Sequence, residues 1–158
     1  MLIQTSRFGE IEVEENQIIT FPSGLVGFSE DRRFVIREDD AATPFLWLQS
    51  VDNNALAFVM IEPLVSVSNY ELELKQEHLN KLDAKSIEEL RVFVLVTMAK
   101  EIKDVTINLQ GPLVFNPEKR LGLQFIIPDG KHSTRHLLFG DKLKDSSQEK
   151  PSNEASGN

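Results

Sequence analysis

The sequence predicts an all-β fold: an antiparallel, barrel-like domain of about eight to ten short strands with one or two short helices. Three observations carry this. Short β-branched or alternating segments recur at close intervals, punctuated by Gly, Pro, Asn and Asp. Only one stretch of the chain has helical spacing, so little helix separates the strands, which argues against a parallel α/β sheet. Several strands, such as F-L-W-L at 45–48 and F-V-M-I at 58–61, are apolar on consecutive residues, as expected where both faces are covered by a helix or a partner protein.

In chain order, segments 2–5, 10–13 and 17–21 open the fold as a meander broken at Gly9 and at 14–16. The run 18–28, I-I-T-F-P-S-G-L-V-G-F, is non-repetitive and loop-like. Pro22 fixes its own φ and biases Phe21 away from the α region, while Gly24 and Gly27 are able to take positive φ. Phe21 and Phe28 read as anchors pinning this loop. A fourth strand spans 33–37. Segments 45–50 and 55–61 flank V-D-N-N, whose Asp and Asn side chains suit a tight turn, and form the clearest hairpin, ended by Pro63.

Between 76 and 90 the apolar residues Leu79, Leu82, Ile87 and Leu90 take helical spacing, and Ser86 precedes Glu89 by three residues like a capping box. Strands at 91–98, 105–109, 112–116 and 121–127 follow, separated by Gly111-Pro112, Asn116-Pro117 and Pro128-Asp129-Gly130. After Phe139 the composition turns polar and offers little apolar area to offset the entropy of ordering. The chain divides into a β-barrel domain at 1–140 and a disordered polar tail at 141–158.

A chain of 158 residues suits one domain. Its formal charge of −8 and scattered basic residues argue against a direct grip on nucleic acid, which needs clustered Lys and Arg. Residues 141–158 carry four acids and three bases, so the acidity belongs to the domain, where it serves solubility or attracts a basic partner. Apolar runs such as 92–96 fall far short of the roughly 20 residues that cross a bilayer, so no membrane association is expected. Without cysteine there is no disulfide framework or thiolate ligand set. The N-terminus lacks a cationic start followed by an apolar stretch, and a cytoplasmic location is expected.

The chemistry-bearing residues are sparse. His132 and His136 share one face only in a helix, which the preceding Pro128-Asp129-Gly130 opposes, and with His78 far upstream no metal site is expected. Pro22-Ser23-Gly24 lacks the glycine and helix of a hydrolase elbow, and Gly130-Lys131-His132 lacks the rest of a phosphate loop. Glu71 and Glu73 alternate with Leu72 and Leu74. They form either a carboxylate pair able to share a proton or an exposed strand edge with its leucines inward, and the edge is favoured. Trp47 and the ten phenylalanines read as core. Elimination leaves a binding role in the lead.

Four segments, F-P-S-G-L-V-G-F (21–28), P-F-L-W-L-Q-S (44–50), N-L-Q-G-P-L-V-F-N (108–116) and R-H at Arg135 and His136, resemble in order and spacing the flagellar assembly factor FliW family. The likeness spans residues 1–139. It departs at Gly111, where the family pattern has alanine, and at His132, where it has tyrosine. What the resemblance implies is a cytoplasmic β-barrel protein with no enzymatic activity and no cofactor. Such a protein binds flagellin and the RNA-binding translational regulator CsrA by turns, relieving CsrA repression of flagellin mRNA. The implied contact surface comprises Phe21, Pro22, Gly24, Leu25, Gly27, Phe28, Asn108, Leu109, Pro112 and Arg135. Leu25 would be its exposed apolar anchor, and Glu71 and Glu73 its electrostatic component. The rival expectation is a small carboxylate-dependent hydrolase using Glu71 and Glu73.

Overall fold

Strand β1 (Leu2–Thr5) and strand β2 (Gly9–Glu12) form a separate two-stranded hairpin. Next come β3 (Ile19–Thr20), β4 (Arg33–Arg37), β5 (Leu46–Ser50) and β6 (Ala57–Ile61), then helix α1 (Gln76–Lys81). The remaining strands are β7 (Arg91–Thr97), β8 (Thr106–Ile107), β9 (Leu113–Asn116), β10 (Leu121–Gln124) and β11 (His136–Leu137). This computed structural model of the protein describes residues 1–128 and 130–139, and the expected disordered tail at 141–158 lies outside them.

Seven strands close a ring in the order β3, β4, β5, β6, β7, β9, β10, with β10 returning to β3. Every pairing is antiparallel except that last one, a parallel bridge at Leu121 and Thr20. Closure removes open edges that would otherwise pair with other chains. The seven-residue β7 makes it possible. Its first half, Arg91 to Phe93, pairs with β9, and its end, Val96 and Thr97, pairs with β8, which in turn carries β11. The sequence pattern shows nothing of β11, whose two residues are too few to leave a periodic signal.

The consecutive apolar residues are explained by two-sided burial. Phe34, Met60, Phe93 and Phe115 point into the barrel with Ile19, Phe21, Leu25, Leu48 and Leu113. Their neighbours point outward into three further clusters. Val35 lies beneath the β1–β2 hairpin, and Ile61 and Val94 lie beneath the β8 and β11 layer. Val114 lies beneath Leu82 and Ala84 at the end of α1. The covers are therefore elements of this same chain.

Local polar chemistry sets the turns. Gln49 is buried in the β5–β6 hairpin and its Nε2 donates to the carbonyls of Ser50 (3.0 Å), Leu56 (3.2 Å) and Asn54 (3.3 Å). Buried Asn116 donates to Leu82 O at 2.9 Å and accepts from the Glu118 amide at 3.1 Å, joining the β9–β10 turn to α1. The Glu89 half of the expected capping box forms: Glu89 Oε2 accepts from the amides of Ser86 (3.1 Å) and Lys85 (3.0 Å), opening a 3-10 turn at Ile87–Glu89, while the Glu89 amide donates to the Ser86 carbonyl at 3.2 Å.

Two expectations are corrected. Trp47 is only half-buried on the outside of the barrel, edge-on to Phe8 at 5.7 Å and beneath the Arg7 guanidinium at 4.3 Å, because its position on β5 faces the hairpin side. Residues 71–74 keep the outward and inward alternation of a strand but pair with nothing in the sheet.

Arg33 and Asp52 link β4 to the β5–β6 turn by two bonds, Nε to Oδ2 at 3.1 Å and a terminal guanidinium nitrogen to Oδ1 at 2.5 Å. The hydrogen bond from Arg33, aided by its charge and opposed by partial burial, holds the Asp52 carboxyl below its ordinary value of 3.8. A depressed folded-state value stabilises above the unfolded value and is lost as pH falls through the folded one. Both side chains are 43% exposed, so screening keeps the contribution below about 1 kcal/mol. Asp52→Asn is expected to destabilise by that amount in urea titrations at pH 7, and the difference from the parent shrinks as the pH falls and the Asp52 carboxylate is protonated.

Candidate functional site

Because β10 runs parallel to β3 and β9 antiparallel to both, the ends of β3 and β10 and the start of β9 lie at one end of the barrel. The 21–28 loop, the 108–112 loop and residues 125–127 are therefore neighbours.

The 21–28 loop is shaped by its own backbone. The Phe21 amide donates to Arg32 O at 2.7 Å, and the Gly24 amide donates back to Phe21 O at 2.8 Å. Leu25 and Phe28 exchange amide-to-carbonyl bonds at 3.2 and 2.7 Å around a two-residue turn in which Gly27 takes φ 84°. Gly24 sits at φ 68°, where a Cβ would stand 2.5 Å from Phe28 O. Phe21 is fully buried and edge-on to Phe34 at 5.6 Å. Its ring lies 2.7 Å from where a Cβ on Gly122 would stand, so the bare backbone there makes room for it. Phe28 rests at the rim, edge-on to Phe58 at 5.3 Å, and Pro22 is exposed.

Leu25 is not the exposed anchor. It is 3% exposed and belongs to the barrel core, because the reciprocal pairing with Phe28 turns residue 25 inward. The apolar side chain presented at the tip is Val26, 65% exposed.

The second loop is held to the first by one side chain. Gln124 Oε1 accepts from the Val26 amide at 2.8 Å, and its Nε2 donates to Gly111 O at 2.9 Å. Asn108 Oδ1 accepts from the amides of Gln110 and Gly111, both at 3.0 Å, and so forms the bend. Buried Leu109 donates its amide to Ser133 O at 2.9 Å and accepts at its carbonyl from Tyr70 Oη at 2.6 Å. Pro112 is buried, and its carbonyl accepts from the Phe125 amide at 2.9 Å. Arg135 is exposed; its amide donates to Ser133 Oγ at 2.9 Å, which sets it two residues beyond the residue that holds Leu109.

Ile126, 48% exposed, flanks the same junction, its Cδ1 lying 3.3 Å from the ideal Cβ position of Gly111. Nothing in the sequence marks Gln124, Val26 or Ile126 as part of this junction. A lone Gln in an alternating strand, and apolar residues adjoining other apolar residues, carry no sign of exposure.

Beyond Ile126 opens a groove of about 900 Å³ walled by Glu71, Glu73, Glu77, His78, Phe125 and His132. Both side chains of the Glu71 and Glu73 pair are exposed on the wall of this open groove. His78 Nδ1 accepts from the Lys75 amide at 2.9 Å, and the ring stands edge-on to Phe125 at 4.6 Å. His132 packs on Tyr70 at 5.5 Å, whereas His136 pairs with Ile107 in β11, so these two imidazoles do not share a helical face. Among the described residues no group of three or more His, Asp or Glu side chains is arranged to hold a metal ion. None of their helices is long and apolar enough to cross a membrane.

Comparison with known proteins fits this geometry. The sequence model of the FliW protein family matches residues 2–138. A protein named flagellar assembly factor FliW from Natranaerobius thermophilus is 43% identical over 143 residues, 90% of this chain and 95% of that protein. One of the same name from Geobacter sulfurreducens is 42% identical over 139 residues, 88% and 87% of the two chains. A solved structure described as the crystal structure of the flagellar assembly factor FliW matches with a TM-score of 0.84 and 39% identity, over 90% of this chain and 99% of that one.

Proposed function

Because the chain belongs to the FliW protein family, we propose that it serves flagellar assembly in the cytoplasm by docking two proteins in turn, flagellin and the translational regulator CsrA. While bound to this protein, CsrA releases flagellin mRNA; when flagellin accumulates, it captures the scaffold and repression returns. The observation that carries this reading is the Gln124 strap, which joins the two distinctive loops into one surface. That surface has Val26 and Ile126 exposed at its centre and the Glu71 and Glu73 groove at its margin. Exposed apolar side chains beside a charged rim suit a protein interface.

The charge supports the second step. A chain of net charge −8 set against a basic RNA-binding protein places negative potential near the phosphate path and weakens RNA binding without covering the RNA site. Such inhibition is noncompetitive, and it weakens with added salt.

Binding of purified flagellin and purified CsrA tests this. Val26→Asp places a charge at an exposed tip and is expected to weaken capture of at least one partner by about tenfold or more with the fold intact. Glu71→Lys with Glu73→Lys is expected to weaken CsrA binding and flatten its salt dependence. If both variants hold both partners as tightly as the parent does, this surface is not the docking site.

A further inference from the structure

We propose that residues Glu71 to Leu74 form a receptor edge for β-strand addition, taking an extended peptide segment that carries Lys or Arg at alternate positions. The proposal rests on the reading of the protein as a docking scaffold and names the chemistry of one segment that docks. Its first support is the backbone. Among the described residues no amide or carbonyl from Glu71 to Leu74 is hydrogen-bonded, and the next bond along the chain is Lys75 N–H to His78 Nδ1. A row of unpaired backbone groups is a template for another strand.

The second support is the alternation. Glu71 and Glu73 face solvent, whereas Leu72 and Leu74 pack inward, with Val92 and Phe125, against the buried cluster of Leu82, Ala84 and Val114. That period of two is the one a paired strand requires, so an added strand meets a matched pleat. The inward leucines also hold the segment in place without a neighbouring strand, which leaves its backbone available.

The third is space and charge. Glu71 and Leu72 line both the groove of about 900 Å³ and a second of about 520 Å³ on their other side, so the segment stands as a ridge with room beside it. The larger groove is the one assigned. Glu71, Glu73 and Glu77 give it an acidic wall against the single ammonium of Lys75, and Phe125 and Ile126 give it an apolar side. The smaller groove carries Arg91, which pairs with Glu62 at 3.7 Å. A strand laid about 4.8 Å from the ridge sets alternate cations against Glu71 and Glu73 and its intervening apolar residues on Phe125 and Ile126.

The test uses the full chain and the peptide acetyl-Lys-Val-Lys-Val-Lys-amide at low salt. Two twins of the peptide are N-methylated, one at the valines and one at the lysines. In an added strand only alternate residues turn their amides toward the receptor. One twin is therefore expected to bind about tenfold or more weakly, while the other stays within about threefold of the parent peptide. Amide hydrogen exchange at 71–74 slows on binding, and Glu71→Gln with Glu73→Gln weakens binding. No binding, equal effects of the two methylation patterns, or unchanged exchange at 71–74 overturns strand addition, and a helical occupant of the groove falls among these outcomes. Failure of the two readings is separable. Val26-dependent capture of flagellin or CsrA with no methylation pattern removes strand addition alone, whereas patterned peptide binding without such capture supports strand addition and removes the assignment of partners.

Discussion

A Gly24→Ala protein is expected to melt roughly 10 °C below the parent, because two costs fall on one methyl group. Gly24 holds φ 68°, where a side chain is strained by about 1–2 kcal/mol. Its Cβ would stand 2.5 Å from the Phe28 carbonyl oxygen and 2.6 Å from the Ser29 Cα, both backbone atoms that cannot rotate aside. Relief requires the loop to open, which breaks the paired bonds of Leu25 and Phe28 and draws Phe21 and Leu25 out of the barrel core. Overpacking of this kind adds about 1–3 kcal/mol, for a total near 3 kcal/mol. Calorimetry and urea unfolding measure it. A melting temperature within a degree or two of the parent would show that the loop tolerates another backbone path.

Leu25→Asp is expected to have the larger effect of two neighbouring charge insertions. Residue 25 lies in the barrel interior with Phe34, Leu48 and Phe93, and among the described residues no Lys or Arg is buried. Removing the leucine leaves a cavity and the carboxylate is desolvated, together costing on the order of 5 kcal/mol, which takes most of the stability of a domain this size. The protein is expected to be largely unfolded by circular dichroism, with Leu25→Met losing less than about 1.5 kcal/mol. Val26→Asp, one residue on, leaves the melting temperature within a few degrees because Val26 faces water. Equal stability of the two aspartate variants would contradict the inward turn of Leu25.

The contrast between these adjacent residues shows where reading the chain succeeds. Turn chemistry and capping are local: Asn53 Oδ1 of V-D-N-N accepts from the Ala55 amide, Gly27 takes positive φ in its turn, and Glu89 accepts from the Ser86 amide. Strands β1 and β4 occupy the expected residues, and the others shorten or shift at their ends, where pairing geometry rather than side-chain type sets the limit.

The candidate site was legible only in outline. Its two loops are recognisable by composition, but their junction depends on Gln124, which reaches Val26 across 98 positions of sequence. Leu25 and Val26 are both β-compatible apolar residues, and no local property separates the one that enters the core from the one at the tip. Trp47 has the hydrophobicity of a core residue yet lies outside the barrel, beneath Arg7. The alternation of Glu71 and Glu73 with leucines predicts an exposed edge; both are exposed, on a backbone without a partner strand.

From residue order alone follow the all-β class, the approximate positions of strands β1 to β10 along the chain, the hairpin at 51–54 and the single helical interval, because periodicity and turn propensity act over a few neighbouring residues. The meeting of β7 with both β9 and β8, the parallel return of β10 to β3, the inward turn of Leu25 and the isolation of 71–74 come from three-dimensional packing. An apolar run declares that both of its faces are covered, but which face becomes the interior is settled by contacts between distant segments that compete for the same buried volume.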